Sequence, residues 1–140
     1  MWETTNEKPS ERIQFALDAL IKAEQPGSCV TPRMGTWFYT PDDSNHCFAC
    51  LGGMAALEKT GLTVQEHVRF REQFYNELHV YEDTLDDARD GNLEEMFAKM
   101  GLSRKIGVKF DRELVQYWED PEQFKTDLRT LISDLQSAGY

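Results

Sequence analysis

Apolar residues in the first part of the chain recur at helical spacing. Ile13, Ala16, Leu17, Leu20, Ile21 and Ala23 fall on one face of a helix. Asn6 or Ser10 can cap that helix, Pro9 is tolerated in its first turn, and Pro26-Gly27 stops it. Residues 1–6 before it read as a flexible terminus. The pattern changes at residue 28. Pro32 and Pro41 exclude one helix through 28–45, because proline lacks the amide donor and clashes with the preceding turn. Thr36-Trp37-Phe38-Tyr39-Thr40 is aromatic and β-branched, so it predicts a strand. Cys29-Val30-Thr31 is its candidate partner in a small hairpin. Pro41-Asp42-Asp43-Ser44-Asn45 is a turn, with proline presetting φ and short polar side chains bonding to nearby backbone.

Helical patterning then predicts a helix over 46–59, capped by Ser44 or Asn45, with Gly61 just beyond its end. Its middle carries Gly52-Gly53, at a cost of about 1 kcal/mol per glycine relative to alanine. Close approach of another backbone would offset that cost, so this helix is expected to be central. Thr63-Val64-Gln65-Glu66 is a capping box for a third helix, whose apolar side carries Val68, Phe74, Tyr75, Leu78, Tyr81 and Leu85. Asp90-Gly91-Asn92 interrupts it, a short helix follows over 93–100, and Gly101 closes that one. Alternation of Ile106, Val108 and Phe110 suits a short extended segment. Asp111 can cap a helix bearing Leu114, Val115, Tyr117 and Trp118. Asp120-Pro121 starts a last helix, with Phe124, Leu128, Leu131, Ile132 and Leu135 on its core face. The expected fold class is mainly α with a minor α+β part. It is a single domain over 1–140, with five or six helices around a central Gly-rich helix and a short β element near residues 29–40.

Composition agrees with a folded domain. Aromatic residues make up 11 % of the 140, enough to supply a core. A chain of this length buries about two-thirds of its unfolded surface without help from metal or disulfide. Charge sharpens the picture more. The net charge is −10, with a pI near 4.7. Such a surface repels nucleic acid and anionic membranes and attracts basic surfaces. The opening residues are polar rather than signal-like, and no apolar run approaches the roughly 20 residues of a membrane helix. The expectation is a cytoplasmic protein with reduced thiols, no direct nucleic-acid contact and no membrane contact.

Candidate chemistry clusters at Asn45-His46-Cys47-Phe48-Ala49-Cys50-Leu51-Gly52-Gly53. Cys47 and Cys50 form a C-x-x-C pair at an expected helix N-terminus, a position that lowers a thiol's pKa. The flanks lack the βαβ pattern of a thioredoxin-like domain, and buried structural thiols are the plainer reading. Cys29, His46, Cys47 and Cys50 have the right types for zinc, but a second paired knuckle is missing. Trp37, Phe38, Tyr39 and His46 could line a pocket beside the helix, or cover the core.

The most acidic stretch carries Glu82, Asp83, Asp86, Asp87, Asp90, Glu94 and Glu95, relieved by Arg89. On a helix, carboxylates four apart lie about 6 Å from each other, which suits a basic partner. The plainer reading is a solvated helix end. The stretch does not make a calcium loop, because Ala88 and Phe97 stand where oxygen ligands are required. His67 and His79 lie twelve apart on the expected third helix, at different heights, and do not mark one site. There is no phosphate-binding glycine loop, nucleophile elbow or basic aromatic strip. No catalytic residue and no cofactor is therefore assigned.

Trp37, Cys50-Leu51-Gly52-Gly53 and Trp118-Glu119-Asp120 stand in an order that resembles a family of small uncharacterised proteins of bacteriophages and actinobacteria. In that family an irregular Trp/Gly segment precedes a helix opening with a Cys-x-Leu-Gly-Ala-type motif. A late Trp-Asn-Asp-like element leads into a final amphipathic helix. Here Gly53 replaces the usual alanine and Glu119 the usual asparagine. The resemblance implies a phage or mobile-element origin and no particular activity. Together with the charge, it points to a non-enzymatic accessory protein that binds a host protein with a basic surface, such as a nucleic-acid-handling or defence component. Two rivals follow from the residues. One is a zinc- or thiol-dependent site on Cys29, His46, Cys47 and Cys50. The other is a homo-oligomeric assembly protein joined through segment 36–39.

Overall fold

The computed structural model of the chain describes residues 8–34, 38–39, 46–61, 63, 66 and 116–140. The first helix, α1, spans Pro9–Ala23. Its N-cap is Lys8, and neither Asn6 nor Ser10 serves. Pro9 stands at the first helical position, and the Lys8 N–H donates to Glu11 Oε2 at 2.7 Å. Ser10 instead lies inside the first turn, buried. Ile13, Ala16, Leu17 and Leu20 are buried as the periodicity predicts, Ile21 and Ala23 are half-buried against the core, and Ala19, outside the predicted face, is buried as well. The helix ends at Glu24, whose N–H bonds the Leu20 carbonyl. Gly27 then turns the chain at φ +83°.

Three short strands follow: β1 Val30–Pro32, β2 Phe38–Tyr39 and β3 Cys47–Ala49. They make one sheet in the order β1-β3-β2, with β1 parallel and β2 antiparallel to β3. The expected hairpin between 29–31 and 36–40 is therefore corrected. Both segments pair with β3, which neither propensity nor spacing marked as a strand. Val30 faces Cys47 and Thr31 faces Phe48 across the parallel pair. The Cys47 N–H donates to the Cys29 carbonyl and the Arg33 N–H to the Ala49 carbonyl, each at 2.8 Å. Long-range backbone pairing of this kind is invisible in a local pattern.

The second helix, α2, spans Leu51–Thr60 rather than 46–59. Residues 47–49 have become the middle strand, and Cys50, with extended backbone, is the N-cap. Its thiol accepts the Gly53 N–H at 3.5 Å. Gly61 closes the helix at φ +67°, the left-handed cap position that glycine occupies without steric penalty. Thr63 and Glu66 form the reciprocal capping box: the Thr63 N–H donates to Glu66 Oε2 at 2.8 Å, and the Glu66 N–H to Thr63 Oγ1 at 3.2 Å. The helices expected from Val68 onward and over 93–100, the extended segment 106–110 and the helix start at Asp111 lie outside the described residues.

The last helix, α3, spans Pro121–Ser137. The Asp120 carboxylate caps it, accepting the Gln123 N–H at 3.1 Å, and Pro121 takes the first position. Phe124, Leu128, Leu131, Ile132 and Leu135 are buried. The expected helix through Tyr117 and Trp118 is corrected at its end. Residues 117–119 form a turn, with the Glu119 and Asp120 N–H groups both on the Gln116 carbonyl. Pro121 explains this, because a following proline pushes Asp120 out of the helical region.

The fold class needs correction too. Among the described residues the chain has three helices and a small sheet, not five or six helices. Nor is the Gly-rich helix the centre among the described residues. Both α2 and α3 pack against α1, and they scarcely touch each other. The reason is the width of the buried face. Ile13, Leu17 and Leu20 of α1 lie in one core cluster with Leu51 and Met54 of α2 and with Phe124, Leu128 and Leu131 of α3. The small residues Gly52, Gly53, Ala55 and Ala56 are buried, but large side chains on α1 and α3 supply most of the apolar volume. Cys47 and Ala49 of β3 complete the core.

Candidate functional site

The four residues with zinc-ligand chemistry are not brought to one point. Alternation along β3 puts Cys47 and Ala49 toward the core and half-exposes Phe48. His46 lies beside Thr31, with Nε2 2.6 Å from Oγ1, and its ring stands edge-on to Phe48 at 5.3 Å. The Arg33 guanidinium lies over the same Phe48 ring at 5.6 Å. Thus His46 belongs to a polar-aromatic cluster on one side of the strand, while Cys47 belongs to the core on the other.

Cys50 is occupied as the cap of α2, and Cys29 is exposed. All three thiols are free of disulfides. Among the described residues no group of three or more His, Cys, Asp or Glu side chains is placed to hold a metal ion. Burial, reinforced by the neighbouring Cys29, pushes the Cys47 thiol up to about 11. That is opposite to what a redox or nucleophilic cysteine requires. The C-x-x-C pair therefore straddles a strand–helix junction instead of opening a helix. Cys29 also borders an open cleft of about 370 Å³ beside α1 and α2, walled by Ala19, Ala23, Val30, Met54 and Leu57. Lys22 and Glu58 pair at 2.9 Å along its lining.

A second constellation joins the end of α1 to the start of α3, and sequence reasoning missed it. Lys125 points inward from α3, its side chain only 8 % exposed. Its ammonium is 2.6 Å from Glu24 Oε1 and 2.7 Å from Glu122 Oε1. The Tyr117 hydroxyl donates to the other Glu24 oxygen at 2.6 Å, and its ring meets Phe124 edge-on at 5.6 Å. Burial disfavours the Lys125 charge, but hydrogen bonds to Glu122 and Glu24 and their negative charges outweigh it. The lysine's pKa therefore sits above its ordinary value. The Tyr117 phenol is also raised, first by burial and then by its bond to Glu24 and the charges of Glu24 and Glu122. Glu24 and Lys125 are 101 residues apart, so no local pattern could pair them.

Beside this anchored tyrosine, Trp118 points into solvent at 77 % exposure. Glu119, Asp120 and Glu122 surround it in sequence, all exposed. A helical reading places Trp118 on a core face. The Asp120-Pro121 pair was the signal that the helix ends earlier and that the tryptophan is displayed. The acidic residues Glu82, Asp83, Asp86, Asp87, Asp90, Glu94 and Glu95 lie outside the described residues, as do Trp37, His67 and His79. Phe38 and Tyr39 form the edge strand β2.

No protein-family model matches the chain, and no curated protein or solved structure shows significant similarity to it. No helix among the described residues is long and apolar enough to cross a membrane.

Proposed function

We propose that this chain is a non-enzymatic accessory protein, of phage or mobile-element origin, that binds and modulates a host protein through a basic surface on that partner. The observation that carries the reading is the charge: 25 acidic against 15 basic residues, giving −10 at pH 7. Seven of the acids fall within 82–95. A field of that sign accelerates encounter with a cationic surface and repels nucleic acid at long range. The buried, elevated pKa of Cys47 and the capping role of Cys50 give no support to thiol chemistry, and this favours binding over catalysis.

The test is affinity capture from host lysate at low and physiological salt, followed by mass spectrometry. Capture of a basic protein should fall steeply with salt. It should also fall with the combined substitutions Asp83→Asn, Asp86→Asn, Asp87→Asn and Asp90→Asn. Retention of the same partner by that variant at the same salt would remove the acidic stretch from the proposal.

A further inference from the structure

We infer that Trp118 is the apolar anchor of the partner-binding surface, and that its indole face receives an arginine or lysine side chain of a basic protein. The inference rests on the reading above and names the residue and the contact. Trp118 is the one large hydrophobic residue exposed among the described residues, at 77 %. Tryptophan is among the residues most enriched where binding energy concentrates. What distinguishes this one is that the backbone around it is already ordered.

On one side Tyr117 is held by its 2.6 Å bond to Glu24 and by the edge of Phe124. On the other, Asp120 caps α3 through the Gln123 N–H and is followed by Pro121. The Glu119 and Asp120 N–H groups both return to the Gln116 carbonyl, closing the turn between these fixed points. A tryptophan displayed on an ordered turn loses little conformational entropy on binding. Among the described residues no aromatic or cation–π contact involves the ring.

Charge decides the occupant. Residues 117–123 carry Glu119, Asp120 and Glu122 and no basic side chain. The next basic side chain along the sequence, Lys125, is turned inward onto Glu24 and Glu122. An indole face in such a field attracts a guanidinium or ammonium, which the neighbouring carboxylates then help to satisfy. A second copy of a chain with net charge −10 would bring like charges together, and an anionic lipid surface is repelled in the same way.

The test uses the full chain and a fluorescent peptide of alternating glycine and arginine, with the matching glycine–citrulline peptide as the uncharged control. Anisotropy is read at low and physiological salt. The expected result is binding of the arginine peptide only, weakened roughly three- to tenfold by Trp118→Ala and much less by Trp118→Phe. Glu119→Lys, with the indole in place, should also weaken it. Trp118→Ala should melt within about 2 °C of the parent, since exposed side chains contribute little to stability. If it melts lower, the contrast between Trp118→Phe and Glu119→Lys carries the test.

Binding by Trp118→Ala within twofold of the parent would overturn the anchor. If that binding were still abolished by the four aspartate substitutions, the broader reading would stand. Absence of binding to the arginine peptide even at low salt would overturn both. A concentration-dependent dimer that Trp118→Ala abolishes would show a second copy covering the ring and would also overturn the anchor.

Discussion

Lys125→Met removes the charge that joins α1 to α3 while keeping an unbranched apolar stem of similar length. The lysine side chain is 8 % exposed and Glu24 20 %, whereas Glu122 is 81 % exposed. The Glu122 pair is thus worth little, as solvent-exposed pairs generally are. Removing one partner of a fully buried pair costs about 3–5 kcal/mol, because the other charge is left behind. Glu24 keeps the Tyr117 hydroxyl and some solvent, so the expected cost is lower, about 2 kcal/mol. At about 3–4 °C per kcal/mol for a chain of this size, the melting midpoint should fall by about 6–8 °C.

The raised Lys125 pKa gives the sign with pH. Its stabilisation is fully present below the ordinary lysine value of 10.5 and is lost as pH rises through the higher folded value. The difference between parent and variant should therefore be constant from pH 7 to 9. Urea denaturation followed by circular dichroism measures it. The double variant Glu24→Gln with Lys125→Met should recover at least about 1 kcal/mol, since a neutral amide tolerates the site better than an orphaned carboxylate. A cost below about 0.5 kcal/mol, or no recovery in the double variant, would refute the claim that this pair fastens the two helices.

Other expectations rest on separate parts of the fold. Cys47, raised from 9.0 to about 11, contributes stability that is complete below pH 9 and lost as pH passes 11. Urea midpoints should therefore decline across that interval, and less steeply in Cys47→Ala; equal slopes would remove the thiol from the explanation. Gly61→Ala forces a side chain into the left-handed region at φ +67° and should cost about 1 kcal/mol by thermal melting. Asp120→Ala removes the cap of α3 and should cost about 1 kcal/mol, with Asp120→Asn close to the parent. Leu17→Ala, at a position 1 % exposed and shared by the helical core, should cost about 2–5 kcal/mol.

Local signals were sufficient wherever an element is defined by its own residues. The apolar period of 13–20 placed α1, the Thr63–Glu66 spacing placed a capping box, and Asp120-Pro121 placed the start of α3. The same logic failed at 46–50. There a cap, two cysteines and small residues resembled a helix start, yet Cys47–Ala49 forms the middle strand of a sheet. Its partners at Val30–Pro32 and Phe38–Tyr39 supply the backbone bonds that outweigh the local preference. The candidate site followed the same rule. Sequence spacing gathered Cys29, His46, Cys47 and Cys50 as ligands, and strand alternation then separated His46 from Cys47.

By itself the sequence determined the signed field of the protein, the core faces of α1 and α3, the Asp120 cap that starts α3 and the Gly61 stop of α2. These depend on composition and on residues three or four positions apart. Only the tertiary structure decided that α2 and α3 both pack against α1, that Cys47 is a core thiol and that Lys125 is held by Glu24. Each of those depends on groups distant in the chain meeting across a packed interior. There, burial sets the cost of charge and the reach of each side chain, and no local pattern encodes it.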